Sequence, residues 1–466
     1  MNSPTISAPP PRSPRICMHE ARILLKLGGP IMVAQLSQTA MGFVDTLMAG
    51  HVSARDLAAV ALGNGIWILV FLTFSGVLMA TTPMVAQHLG ANRQQAAGTV
   101  FQQGFWIALC TGLLAFISVR NCAWLLQQLN VAPELAALTQ GYLQAISWGL
   151  PAILLYQLIR SFCEGFGLTR VVMKIGLLGL LLNIPLNYIF IYGKLGLPAM
   201  GGVGCGWATS IVMLAMLLAG ALYLWRSQAF TEAAPLSRWQ RPSFAATRQF
   251  MQLGFPIGLS LLIEVSMFSL IALLLAPLGD ITVASHQITM SFTGLTFMLP
   301  LSIALAITIR TGHLVGAADY PRARRSAFTG VLLALGCALV SCSVMLLFAH
   351  NIASLYSPDP VVISLAAQLL VIAAFFQFSD SIQVAAAGAL RGYKDTSIPL
   401  LLVFVAYWLV GMPAGFILGL TDLAGPARGA EGFWYGLVLG LSLGALLLGT
   451  RLVWMTRRHS LRLAQA

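Results

Sequence analysis

The chain has 466 residues, of which 58% are hydrophobic and 9% charged, and a formal charge of +12. Soluble globular domains carry about 25% charged residues, so no water-facing surface can be built from this composition. A soluble enzyme or binding module is excluded, and the basic excess needs an explanation other than nucleic acid.

Residues 1–20, which include "SAPPPRSPR", are Pro- and Ser-rich and lack the apolar core of a cleaved signal peptide, so they read as a disordered tail. Apolar stretches of about 20 residues or more then follow, each long enough to cross roughly 30 Å of hydrocarbon. They lie at 22–48, 57–87, 97–119, 138–162, 171–193, 202–226, 247–276, 281–312, 324–349, 364–390, 396–420 and 431–456. The period-2 alternation of a transmembrane barrel is absent, which leaves helices as the spanning structure. The expected fold is an all-α integral membrane protein of twelve transmembrane helices. A polar linker at 227–246 and a closing tail at 457–466 complete the chain.

An even number of spans puts both termini on one side. With the termini inside, the outer segments hold only Arg55, Arg120, Lys194 and Arg428, leaving 22 of the 26 Lys and Arg residues inside. This positive-inside bias predicts cytoplasmic termini and accounts for the basic charge by topology and contact with the lipid bilayer, without nucleic acid. The seven cysteines are scattered without metal or redox spacing and read as small apolar fillers.

The second half repeats the first. At one constant offset, Leu27, Gly28 and Pro30 match Leu253, Gly254 and Pro256, Gly90-Ala91 match Gly316-Ala317, and Gly104 matches Gly330. With slight drift, "EGFGLT" parallels "RGYKDT" and "NIPLN" parallels "GMPAG". Six spans separate equivalent points, so the halves share one orientation. This predicts an N-lobe at 21–226 and a C-lobe at 247–456, related by an axis along the membrane normal and flanking a central cleft.

Of the 14 acidic residues, three fall inside spans: Asp45, Glu264 and Asp380. An acid at mid-membrane costs about 2.5 to 3.5 kcal/mol, and no basic residue is expected at comparable depth. Such a group can carry a proton, or stay ionised by coordinating a cation with hard oxygen ligands. Gln38 and Asp45 share a face of the first span, and Gln377, Asp380 and Gln383 form a strip on the tenth; both are expected to face the cleft. Asn183, Asn187 and Thr209 are candidate polar neighbours. Gln287, Met290 and Phe292, all in "ASHQITMSF", are candidates to line a substrate cavity.

"GFVDTLMAG" on the first span, "GLLLNIPLNYIFIYG" on the fifth, "GGVGCGWAT" opening the sixth and "AAGALRGYKD" ending the tenth are long motifs in one order. Together they resemble the multidrug and toxic compound extrusion (MATE) family, in its bacterial NorM-type branch, over residues 20–456. The resemblance implies a secondary antiporter that exports cationic, amphipathic drugs and dyes in exchange for H⁺ or Na⁺ by alternating access. It implies ion-coupling roles for Asp45 with Asn183, Asn187 and Thr209, and for Glu264 and Asp380, which are also the candidate Na⁺ ligands. It further implies residence in a Gram-negative inner membrane. A monomer without a cofactor is expected. Sodium-coupled relatives carry a Tyr where this chain has Phe376, which keeps a ring face for a cation and loses a hydroxyl ligand.

Two rivals remain on the sequence. A lipid-linked precursor flippase of the wider superfamily would place Arg or Lys in the cleft for a pyrophosphate. An intramembrane transferase would need paired Asp-rich Mg²⁺ motifs or a membrane-face His/Asp pair. No G-x-x-x-x-G-K-[ST] loop occurs, so the chain itself offers no ATP-driven motor.

Overall fold

The computed structural model describes residues 14–128, 131–237 and 239–465. In chain order the helices are α1 (Pro14–Gly50), α2 (Ala54–Leu78), α3 (Thr81–Gly90), α4 (Gln94–Arg120), α5 (Ala123–Gln128), α6 (Pro133–Ser147), α7 (Leu150–Gly165), α8 (Thr169–Tyr192) and α9 (Gly202–Arg226). The second half contains α10 (Phe244–Leu275), α11 (Asp280–Gly316), α12 (Tyr320–Tyr356), α13 (Pro360–Gly392), α14 (Ser397–Phe404), α15 (Met412–Leu420) and α16 (Ala430–Gln465). A π-helical turn, Val405–Gly411, joins α14 to α15.

Ten of the described helical segments are long and apolar enough to cross a membrane, α2 with α3 and α14 with α15 each counting as one, and the pair α6–α7 makes an eleventh. The expected fourth span is therefore not straight: α6 and α7 meet at 46°. The break falls at Trp148-Gly149, just before Pro151, whose ring cannot continue the helix in front of it. At 37 residues α1 is also long enough to cross, but Arg22, Lys26, Gln35, Gln38 and Asp45 dilute its apolarity. It supplies the twelfth crossing.

Both terminal expectations need correction. Residues 1–13 lie outside the described residues, whereas 14–20 form the opening turns of α1, with Pro14 at a first-turn position where its missing N–H costs nothing. The expected tail after 456 instead continues α16 to Gln465. The linker is held against α4. Gln102 Nε2 donates to Ser237 O (2.8 Å) and Gln103 Nε2 to Arg241 O (3.0 Å), while the amides of Gln240 and Ser243 donate back to the same two side-chain oxygens.

Two hydrophobic cores divide the bundle, one from Ala34 to Ala233 and one from Met267 to Leu452. Each half also lends a segment to the other. Leu24 of α1 packs in the C-terminal core, and Phe250 and Ile257 of α10 pack in the N-terminal one. Ile31 sits on the seam with Leu305 and Ile309. Leu24 and Phe250, like Ile31 and Ile257, are equivalent positions of the repeat, so the halves exchange equivalent segments as an isologous dimer does.

The seam runs along the end of the bundle that carries the basic residues. There Glu20, fully buried, takes Arg310 through both oxygens (2.8 and 2.9 Å) and Arg322 through one (2.6 Å), tying the start of α1 to α11 and α12. Burial pushes this carboxyl up, but the hydrogen bonds and charges of the two arginines outweigh it and hold it below its ordinary value. A carboxyl held low contributes stability that is fully present above the unfolded pKa of about 4.3 and drains away as pH falls through the lower folded value. Glu20→Gln should therefore destabilise the protein by about 2 kcal/mol from pH 5 to 8, after allowance for the partial exposure of Arg322. Thermal melts of the two proteins should draw together as pH falls below about 4.3 and through the lower folded value.

Candidate functional site

The N-terminal half encloses one acid. Asp45, 7% exposed, sits on α1 where α8 and α9 pack against it. Asn183 and Asn187 lie one turn apart on α8, on either side of Pro185, and both donate to Asp45 Oδ1 (2.9 and 2.6 Å). Thr209 Oγ1 of α9 donates to Oδ2 (3.0 Å). Asn187 Nδ2 also reaches Asn183 Oδ1 (3.1 Å), while Asn187 Oδ1 is buried without a partner. Among the described contacts Asp45 meets no cationic side chain. Neutral donors orient a carboxylate without neutralising it, so its charge is left for a proton or cation that enters.

In the C-terminal half, Asp380 of α13 is 3% exposed and Glu264 of α10 is half-buried. The two acids lie within electrostatic reach of one another, and the Tyr407 hydroxyl within reach of both. Gln383 Nε2 donates to that hydroxyl, and Gln377 Nε2 donates to Thr296 Oγ1 (2.9 Å). The strip Gln377–Asp380–Gln383 therefore faces the interior of its own half, not the cleft as the spacing predicted. Phe376, 5% exposed, is likewise interior: its ring meets Phe268 (6.5 Å) and Trp434 (5.9 Å). The hydroxyl that position 376 lacks enters the constellation from Tyr407. That residue rides on the π turn, a distortion frequent at functional sites, and its signal in the sequence was a lone Tyr inside the eleventh apolar stretch.

Two further corrections concern cations. Arg160 and Arg391 count among the inside basic residues, but both project back into the bundle. Arg160, 6% exposed on α7, donates to Glu164 Oε1 (2.8 Å), Gln35 Oε1 (2.6 Å) and Gln38 Oε1 (3.1 Å). Gln38, half-buried, thus serves Arg160 within the N-terminal half. Arg391 shares a small cavity with Glu264.

The remaining substrate candidates disperse. Gln287 is exposed on α11, one residue round the helix from His286, which is buried with its ring 5.9 Å from that of Trp434. Met290 and Phe292 are half-buried at the margin of the C-terminal core. Among the described residues no three His, Cys, Asp or Glu side chains converge as a metal cluster. Any cation bound by Glu264 and Asp380 would need hydroxyl, amide or backbone oxygens to complete its shell.

Comparison with known proteins adds to this geometry. The MatE family model matches residues 30–189 and again 256–417, two blocks that begin at equivalent prolines of the repeat, Pro30 and Pro256. The chain is 47% identical over 445 residues to a Shewanella oneidensis protein named "Probable multidrug resistance protein NorM", covering 96% of this chain and 97% of that one. It is 44% identical over 442 residues to the multidrug resistance protein MdtK of Photorhabdus laumondii, covering 95% and 97%. Its backbone matches that of a multidrug resistance MATE family transporter in an outward-facing conformation with a TM-score of 0.86, covering 95% of this chain and 96% of that one. At 21% identity that likeness concerns the fold alone.

Proposed function

This chain belongs to the MatE family, within its NorM-type branch, and on that premise we propose that it exports cationic, amphipathic drugs and dyes in exchange for inward H⁺ or Na⁺. It is a multi-pass membrane transporter and not an enzyme. The observation that carries the exchange reading is Asp45, a buried carboxylate held by three neutral donors with no cation among its described contacts. A group arranged in that way serves a mobile positive charge.

The remaining assignments follow from that reading. Asp45, Asn183, Asn187 and Thr209 form the N-lobe coupling site, and Glu264 and Asp380 the C-lobe one, with Tyr407 as the hydroxyl beside them. The basic end is the cytoplasmic face of an inner membrane, with both termini on that side. The seam at that end supports an outward-open cleft, and the two lobes rock about it as a monomer. Each inward positive charge supplies about 2.3 kcal/mol per 100 mV, enough for a gradient of about 50-fold. The flippase reading is not favoured, because Arg160 is occupied by Glu164 and two glutamines inside one half.

The test is ethidium export from liposomes containing only this protein, driven in turn by a pH gradient and by a Na⁺ gradient. Export with one gradient alone identifies the coupling ion. If neither moves the dye, the antiporter reading falls and the flippase takes its place.

A further inference from the structure

A cavity of about 40 Å³ lies inside the C-terminal half, between α10, α13 and α14. Its walls run in register along three helices. At one end are Glu264, Gln383 and Val403, and at the other Arg391, Asp395 and Thr396 at the basic face. Eight residues of α13 separate Gln383 from Arg391, a rise of about 12 Å. The cavity therefore begins one turn below Asp380 and ends at the basic surface, and Ile257 and Leu261 on its α10 wall back onto the N-terminal half.

Its lining asks for water. Thr396 Oγ1 is a buried polar atom with no partner, on a residue 5% exposed. A water needs roughly 10 to 15 Å³ of such space and two or more polar partners, so the volume accommodates a short file bridging Gln383, Glu264, Arg391 and Thr396. The charges along it are ordered. Glu264 stands at the inner end, Arg391 follows, and Asp395 at the mouth is already taken by Arg451 (2.8 Å).

We propose that this cavity is a hydrated passage linking the C-terminal carboxylates to the basic face of the protein, along which the coupling ion leaves while the two halves remain closed there. Arg391 is its positioning residue: it sets a positive charge between the Glu264 carboxyl and the exit. The inference rests on the antiporter reading. It assigns the central cleft to the drug and a separate route within one half to the ion, so the two cargoes need not pass through the same opening.

The experiment uses the whole chain in liposomes. Wild type must first export ethidium under an ion gradient; failure there overturns the antiporter reading and this inference with it. With export established, Ala387→Leu and Ser260→Leu fill the cavity from opposite walls, while Ser260→Ala leaves it open. Displacing the water file should lower export by the leucine variants about tenfold with dye affinity kept within about twofold, and Ser260→Ala should match wild type. Export at wild-type rates by both leucine variants overturns the passage. Should thermal melting show that the leucines unfold the protein, Ala387→Cys in a cysteine-free chain decides. It should react with 2-aminoethyl methanethiosulfonate added on the basic side, and absence of that reaction overturns the passage equally.

Discussion

Asp45→Asn is expected to reduce gradient-driven export to the leak rate of the liposome, a loss of about 100-fold or more, while the protein folds normally. Asparagine keeps an oxygen where Asn183 and Asn187 donate, and the Thr209 hydroxyl can turn to accept from the new amide. The exchange therefore keeps all three neighbours hydrogen-bonded and costs about 1 kcal/mol. What is lost is the ability to take up a proton or balance a cation. Asp45→Leu is the contrasting variant: it takes the acceptor from two buried amides, at about 1 to 3 kcal/mol each, and from the half-buried Thr209 hydroxyl, so accumulation of the protein should fail together with transport. Initial efflux rates and melting midpoints of the two variants separate the roles. Export by Asp45→Asn at half the wild-type rate or better would show that this carboxylate carries no coupled charge.

The spans and the duplication were legible in the sequence because each rests on a pattern read along a single helix. Hydropathy over about 20 residues reports whether a segment can sit in hydrocarbon whatever its neighbours are. The constant offset that carries Leu27 onto Leu253 and Gly104 onto Gly330 likewise needs no knowledge of contacts. Asp45, Glu264 and Asp380 stood out on the same ground, as single charges against an apolar background.

Lateral facts were not legible. Depth along a helix does not say which way a long side chain reaches, and Arg160 and Arg391, each near a helix end, run back into the bundle along their apolar stems. The strip on α13 shows a second limit. Spacing of three puts Gln377, Asp380 and Gln383 on one face, but whether that face meets the cleft or α11 and the π turn depends on the rotation of the helix within the bundle. Tyr407 escaped for a third reason: in the eleventh stretch it is one aromatic among many, and the π turn that carries it has no marker in composition.

Gly90→Ala and Gly316→Ala are each expected to open the seam. A methyl group on Gly90 would overlap the carbonyl oxygen of His313, and one on Gly316 would overlap that of Gln87. These two contacts are the same contact seen from each half, since Gly90 and Gly316, like Gln87 and His313, are equivalent positions of the repeat. The helices α3 and α11 must separate to admit a side-chain atom. Overpacking of this kind costs about 1 to 3 kcal/mol, and a penalty confined to the state in which α3 and α11 touch moves the conformational equilibrium roughly 5- to 150-fold. In a cysteine-free chain carrying Ala86→Cys, a buried position against Gly312, each alanine should speed thiol labelling from the basic side by that factor and slow dye export. Gly449→Ala, which meets nothing within 4 Å, is the control expected to do neither. Because the two sites are related by the duplication, their single effects should be alike. The double variant should fall short of their sum, since parting the helices for one methyl group already makes room for the other. Full additivity would mean that the two contacts yield independently and that the halves do not part along the seam as one unit.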